Sequence, residues 1–355
     1  MTLVAYVSGH GLGHSAREVE ILRHVPKTIP LVVKTTAPEW FWRNALSRPF
    51  ELVPVQFDVG CQQNNGMDID VAGTLHAWQE MNARNKDENR YQTEADDLTR
   101  RGAKLVLSDV ASLPLVAARR ACVRSLLVAN FTWADIYRGL VEEELAFAAC
   151  ADALETEYAQ ADLLLDAGFA LPMAYVPWRE TTGLVARPGV NRRDELRAHL
   201  PPDASGKRLA LVYVGGWGLP IPYERAETFT NWHFLSLHPP PVLPSNWSLV
   251  SRDLMPHPDL VASVDLVVSK PGYGLSAECL QNGTPLLYPP RQHFVEYNAI
   301  DRGLHGWPGR FNIPLEAFLS LGWQPFLDAV PALGAVAPRL LDGAERAAEI
   351  IMREY

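Results

Sequence analysis

The stretch from Asp265 to Ala299 constrains the fold more than any other part of the chain. Its apolar start, Leu266 to Val268, reads as a short buried strand. Lys270-Pro271-Gly272-Tyr273-Gly274 then interrupts regular structure, with two glycines that let backbone approach a ligand closely. A helix is expected from about Leu275 to Gln281, stopped by Asn282-Gly283. Pro285 to Tyr288 follows as a second strand, which a helical crossover makes parallel to the first. A strand, a glycine turn and a helix start can cradle phosphate, because free N–H groups and the helix dipole face the anion. Polar groups follow in order: Glu278, Arg291, Glu296 and Asn298.

The start of the chain repeats the arrangement. Leu3 to Val7 is an apolar run, Gly9-His10-Gly11-Leu12-Gly13-His14 is a turn, and Ser15 or His14 can cap a helix reaching His24. Strands are expected at Leu31–Thr35, Phe50–Pro54, Leu105–Leu107 (ending in Ser108-Asp109) and Ser125–Ala129. One long amphipathic helix is expected over Thr74–Arg101 and a shorter one over Leu113–Ala121, after a polar loop at Gln62–Ala72. Prolines, arginines and glycines crowd between Pro172 and Lys207, where periodicity is lost. A second alternating series begins at Arg208–Val214, runs into Gly215-Gly216-Trp217-Gly218, and continues with Asn231–Leu237 and Trp247–Val250. Alternation of this kind builds parallel, doubly wound sheets. At 355 residues the chain suits two such domains. The expected division is 1–175, a connection at 176–206, a second domain at 207–335, and a C-terminal helix within 336–355 that can pack back on the first domain.

Composition narrows the partners. Hydrophobic residues make up 48% and charged residues 21%, as in a folded soluble protein. A net charge of -9 argues against nucleic acid. No apolar run reaches membrane-spanning length and no basic, apolar leader opens the chain; peripheral membrane contact stays open. Cys61, Cys122, Cys150 and Cys279 have no CxxC spacing, so reduced thiols and a cytoplasmic setting are expected.

Sheet geometry selects the candidate chemistry. His14 at a helix start and Asp109 at a strand end share one rim, where a carboxylate can orient an imidazole as a base. The alternative is that His14 caps its helix or that Gly11 and Gly13 bring backbone to a phosphate. His10 is a second candidate base; the glycines between it and His14 argue for a loop and against a metal pair. Arg17, one turn into the helix, is a candidate for a phosphate or a substrate acid. Asp68-Ile69-Asp70 is an acidic triplet without a preceding nucleotide-binding strand and is discounted. Gly215, Gly216 and Gly218 are expected to border a diphosphate.

The Gly272, Glu278, Gly283-Thr284-Pro285 and Asn298-Ala299 pattern resembles the donor-binding stretch of GT-B glycosyltransferases, both plant UDP-sugar transferases and the bacterial transferase of peptidoglycan synthesis. GHGLGH with Arg291-Gln292-His293-Phe294-Val295-Glu296 is most similar to the transferase-like N-terminal part of plant arabinose kinases. The resemblance implies two Rossmann-like α/β domains facing a central cleft. It implies a His14–Asp109 base pair, Lys270 at the leaving diphosphate, and Glu278 on the ribose hydroxyls. Gly272, Tyr273 and Gly274 would line the phosphates, the Arg252–Met255 segment with Leu254 would clasp the base, and Arg291, Glu296 and Asn298 would meet the donor's sugar end. Phe294-Val295 stand where the plant transferases carry a sugar-binding Asp-Gln pair. The expected function is inverting transfer from a nucleotide-diphosphate sugar, of the UDP type, to an acceptor hydroxyl, with no metal or other cofactor. A UDP-N-acetyl-sugar epimerase and a non-catalytic sugar-nucleotide-binding module are the alternatives. On the acceptor side, Phe131, Trp133 and Tyr137 are either a pocket lining or core.

Overall fold

The computed structural model describes residues 1–214 and 219–355, so Gly215, Gly216 and Gly218 lie outside the described residues. Two wholly parallel sheets organise the chain. The first contains β1 (Thr2–Val7), β2 (Leu31–Lys34), β3 (Glu51–Val53), β4 (Ala103–Asp109), β5 (Arg124–Ala129), β6 (Leu163–Asp166) and β7 (Arg179–Thr181), in the order β3-β2-β1-β4-β5-β6-β7. The second contains β8 (Arg208–Tyr213), β9 (Trp232–Ser236), β10 (Trp247–Leu249), β11 (Leu266–Ser269), β12 (Leu286–Tyr288) and β13 (Arg310–Asn312), in the order β10-β9-β8-β11-β12-β13. Strand order reverses between β1 and β4 and between β8 and β11. At such a reversal the flanking connections leave in opposite directions and open a crevice beyond the strand ends. The turn after β1 and the turn after β11 each open on one of these crevices.

Core packing follows the two-residue period of a strand. In β1, Leu3, Ala5 and Val7 join one buried cluster, while Val4 and Tyr6 join another on the opposite face. In β8, Ala210 and Val212 face one cluster, and Leu209 and Leu211 the other. Burial on both faces explains why these strands read as continuous apolar runs.

Several elements differ from the sequence expectation. Gly11, not His14 or Ser15, occupies the cap of the first helix (Leu12–His24), and no side chain caps it. The expected Thr74–Arg101 helix is two helices, Val71–Asp87 and Arg90–Arg100, broken where Asn89 turns left-handed at φ 47°. Asp70 caps the earlier of these by accepting the Gly73 N–H, which gives the acidic triplet a structural role. The first sheet continues beyond residue 175 to β7, and Arg193–Ala198 forms a helix whose Leu196 packs in the second domain. The strands β6, β7 and β13, of three or four residues each, were not expected, since apolar runs this short carry little periodicity. The C-terminal helix Gly343–Glu354 lays Ala344, Ala347, Ala348, Ile350 and Ile351 against the first-domain core beside Ile21 and Leu22. Among the described residues, no helix is long and apolar enough to cross a membrane.

A buried ionic cluster ties β2 to the helix before β4. Lys34, the last residue of β2, pairs with Glu94 and, at 2.7 Å, with Asp97. Tyr6 donates to Glu94 at 2.9 Å and Arg101 to Asp97 at 2.7 Å. Burial pushes the Asp97 carboxyl up, but the bonds from Lys34 and Arg101 outweigh it and hold it at about 2. Its contribution to stability is therefore complete above the unfolded value of about 3.9 and fades as the pH falls toward about 2. Lys34→Met should cost about 1–3 kcal/mol at neutral pH, since it removes the cation from Glu94 and one of the cations from Asp97 while Tyr6 and Arg101 stay bonded to them. Urea unfolding at pH 7 and pH 3 checks this, and the deficit should shrink at the lower pH.

Candidate functional site in the interdomain cleft

The first half of the site is set by β1, β4 and the helix between them. Gly11 takes φ +83°, a conformation open to glycine, and turns the chain from β1 into the helix. Positions 14, 17 and 18 then share one helix face. That face meets Asp109, the last residue of β4, which pairs in register with Val7. His14 Nδ1 lies 2.6 Å from Asp109 Oδ1. Arg17 Nε and Nη2 donate to Asp109 Oδ2 at 3.0 and 2.8 Å, and Nη1 donates to Asn130 Oδ1 at 2.8 Å. Asp109 is fully buried, while the His14 side chain keeps 12% exposure, so the imidazole is the part a substrate can reach. With Nδ1 held by the carboxylate, Nε2 is the nitrogen left to take a proton.

Burial pushes the Asp109 carboxyl up, but Arg17 and His14 outweigh it and hold it below the usual range. Glu18, beside it, goes the other way. Burial, then the Asp109 charge, raise its carboxyl well above the ordinary value, and neither oxygen has a donor among the described residues. The residue after Asp109, Val110, is left-handed at φ +63°, a strained state for a β-branched side chain. Its carbonyl is pinned by the Tyr158 hydroxyl at 2.5 Å, as expected where surrounding structure over-determines a strained turn.

His10 packs edge-on against Trp133 at 5.3 Å, and burial, His14, Lys270 and Arg291 push it down to about 4. Phe131 and Trp133 lie 6.1 and 6.2 Å from the His14 ring. Trp133 donates to the half-buried Asp58 at 3.0 Å and Tyr137 to the Gly60 carbonyl at 3.0 Å. All three aromatics belong to the core, and the faces of Phe131 and Trp133 also form the wall beside His14.

The second half starts at β11. The helix after it spans Tyr273–Asn282, with Gly272 at the cap, no side-chain cap bond, and Gly283 (φ +67°) as the stop. A Cβ added at Gly272 or Gly274 would meet no described atom within 4 Å, so the turn faces open space. Lys270 precedes it, and burial, then Arg291, push its ammonium down to about 8. Arg291, after β12, is also buried and is pushed down to about 10. Glu278 lies one turn into the helix, with Oε2 2.8 Å from His257 Nδ1, and the His257 ring packs on Tyr213 at 4.9 Å. Leu254 borders a cavity of about 310 Å³ with Val250, Ser251 and His199. Glu296 opens the helix Glu296–Leu304, and Asn298 on that helix is exposed and bonds no other candidate. Among the described residues no three His, Cys, Asp or Glu side chains gather as metal ligands.

Tyr273 joins the halves. Its hydroxyl donates to the Ala167 carbonyl at 2.6 Å and accepts the Val185 N–H at 2.9 Å, and its ring lies 5.1 Å from the Arg17 guanidinium. Arg291 Nη2 donates across the cleft to the Gly66 carbonyl at 3.3 Å. Two expectations change. Arg17 is spent on Asp109 and Asn130 beneath Tyr273, and is not placed to reach a phosphate. The Tyr273 hydroxyl is spent on the domain junction, leaving its backbone N–H at the helix start for a ligand. Sequence reasoning missed Glu18, Asn130 and His257. Asn130 follows β5 on the shared rim and was accessible to that logic, whereas Glu18 reads as an ordinary solvated helix acid.

No family model matches the chain. Over 98% of its length it is 26% identical to the L-arabinokinase of Arabidopsis thaliana, of which it spans 34%. Among solved structures, a UDP-glucosyltransferase from Polygonum tinctorium capable of glucosylating indoxyl superposes with a TM-score of 0.65 at 13% identity, over 99% of this chain and 98% of that one. The fold is GT-B. A Listeria monocytogenes protein assigned as a UDP-N-acetylglucosamine 2-epimerase also superposes, with a TM-score of 0.60 at 12% identity over 99% and 94% of the two chains. Tyr273 is one of the contacts that join the two sheets. Tyr273→Phe should destabilise the protein by about 1–3 kcal/mol for each backbone group left unpaired. Thermal unfolding checks it, with Tyr297→Phe in the second domain as the comparison.

Proposed function

We propose that the chain transfers a sugar from a nucleotide-diphosphate donor, of the UDP type, to an acceptor hydroxyl. The observation that carries this is the 2.6 Å His14–Asp109 bond on one wall of the cleft, with the open Gly272 turn and Lys270 on the other. In this reading the donor lies along the second sheet. Glu278 accepts ribose hydroxyls while His257 fixes its other oxygen. The N–H groups starting the Tyr273–Asn282 helix, with Lys270, take up the charge of the departing diphosphate. The acceptor enters past Phe131 and Trp133, and His14 Nε2 removes its proton as the new bond forms. Asp109 holds the tautomer and steadies the imidazolium, and Arg17 and Asn130 hold Asp109. A single displacement of this kind inverts the anomeric carbon.

The likeness to the assigned epimerase supports a second reading, in which the same groups act on the sugar without an acceptor. Turnover of a UDP-N-acetyl sugar in the absence of acceptor would favour it.

His14→Ala should abolish transfer and leave nucleotide binding intact, whereas Glu278→Ala should weaken binding of UDP and UDP-sugars. Calorimetric titration and a product assay over an acceptor panel check both, and unchanged turnover in His14→Ala would remove the base assignment. Nucleotide affinity should also fall as the pH rises past about 8, where Lys270 loses its charge. Of the groups facing Lys270, Arg291 (about 10) stays charged and His10 (about 4) stays neutral through that window, with Glu296 as the facing acid. Titrations of wild type and Lys270→Met between pH 7 and 9 test this, and the variant should lack the decline.

A further inference from the structure

The rim of the second sheet has a direction. Leu254 follows β10, Tyr213 closes β8 beneath His257, Lys270 follows β11, and Arg291 and Glu296 follow β12. A ligand with its nucleoside at Glu278 and its diphosphate at the Gly272 turn therefore presents its sugar toward Arg291, one strand further along. The surroundings of Arg291 are unusual for a hydroxyl-only sugar. Its side chain is 7% exposed, its guanidinium carbon sits 3.1 Å from the Phe294 ring centroid, and its Nε has no partner among the described residues. Its one hydrogen bond among those residues is the 3.3 Å contact to the Gly66 carbonyl. Lys270, also without an ion pair among the described residues, repels it, and Glu296, the acid that acts on both, is bonded to neither. A buried, under-bonded guanidinium is costly, and its planar fork matches a carboxylate.

We propose that Arg291 receives a carboxylate on the transferred sugar, so that the donor is a nucleoside-diphosphate uronic acid. This deepens the proposed function and rests on its donor site. The diphosphate meets Lys270 and the Gly272 turn, and the sugar carboxylate meets Arg291. Phe294 shields that pair from water, which strengthens it. A neutral hexose leaves the guanidinium as under-bonded as it is without ligand.

The test is calorimetric titration of UDP, UDP-glucose, UDP-glucuronate and UDP-galacturonate into wild type, Arg291→Gln and Arg291→Lys. A uronate should bind wild type about tenfold or more tighter than UDP-glucose, the range of a hydrogen bond to a charged group. That preference for the uronate over UDP-glucose should vanish in Arg291→Gln whichever way UDP affinity itself moves, and survive in part in Arg291→Lys, which keeps the charge if the glutamine variant fails to fold. Equal affinity of wild type for neutral and acidic sugars overturns the proposal, as does a preference that persists in Arg291→Gln. Failure of UDP itself to bind wild type is a different result: it removes the donor site, and this proposal with it.

Discussion

The pairing of Arg17 with Asp109 is the interaction on which the rest of the cleft depends. Asp109 ends an interior strand with no exposure, and an isolated carboxylate there would take up a proton rather than stay charged. The bidentate Arg17 contact keeps it ionised, and an ionised Asp109 is what can hold His14 in a single tautomer. Glu18, the other acid on that helix face, has no such partner and is pushed toward its neutral form. Two adjacent carboxyls are thus pushed in opposite directions, Asp109 down by Arg17 and His14 and Glu18 up by burial and by Asp109. The strained Val110 turn belongs to the same arrangement, since it directs the chain away from the rim immediately after Asp109.

This pair is also linked to the opposite wall. Arg17 lies under the Tyr273 ring, and Tyr273 is the first residue of the helix whose N-terminus faces the cleft. The hydroxyl of the same residue bonds backbone at Ala167 in the first domain and at Val185 in the connection. A shift of the second-sheet helix relative to the first domain would therefore disturb the Arg17 contact as well as the Tyr273 bonds. The domain junction and the Arg17–Asp109–His14 contacts are linked through one aromatic ring.

Much of this was legible in the sequence because parallel-sheet proteins write their architecture in local signals. The apolar runs of β1, β4, β8 and β11, and the glycine turns after β1 and β11, fix which side chains reach a sheet rim. His14 and Asp109 follow from that rule, whereas Lys270, Glu278 and Arg291 were singled out by the resemblance to GT-B donor-binding stretches. What stayed hidden depends on packing between distant segments. The direction of Arg17 is set by Asp109, 92 residues away, and that of the Tyr273 hydroxyl by Ala167, 106 residues away. His257 pairs with Glu278 across a strand and a turn, and no spacing rule connects them. The helix break at Asn89 was lost because a left-handed asparagine leaves the amphipathic pattern on either side intact.

The charge of the two walls explains how an acidic protein can attract an anion to this cleft. The chain carries -9 overall, yet on the first wall Asp109 is paired with Arg17, and burial pushes Glu18 toward its neutral form. The second wall carries the half-buried Lys270 and the buried Arg291 beside Glu296, and Arg291 lowers the proton affinity of Lys270. A low-dielectric cleft concentrates such a field, whereas surface carboxylates are screened by solvent and salt within about 8 Å at physiological ionic strength. In the proposed reading, an anion held between Lys270 and Arg291 would relieve the repulsion that Arg291 exerts on the Lys270 ammonium.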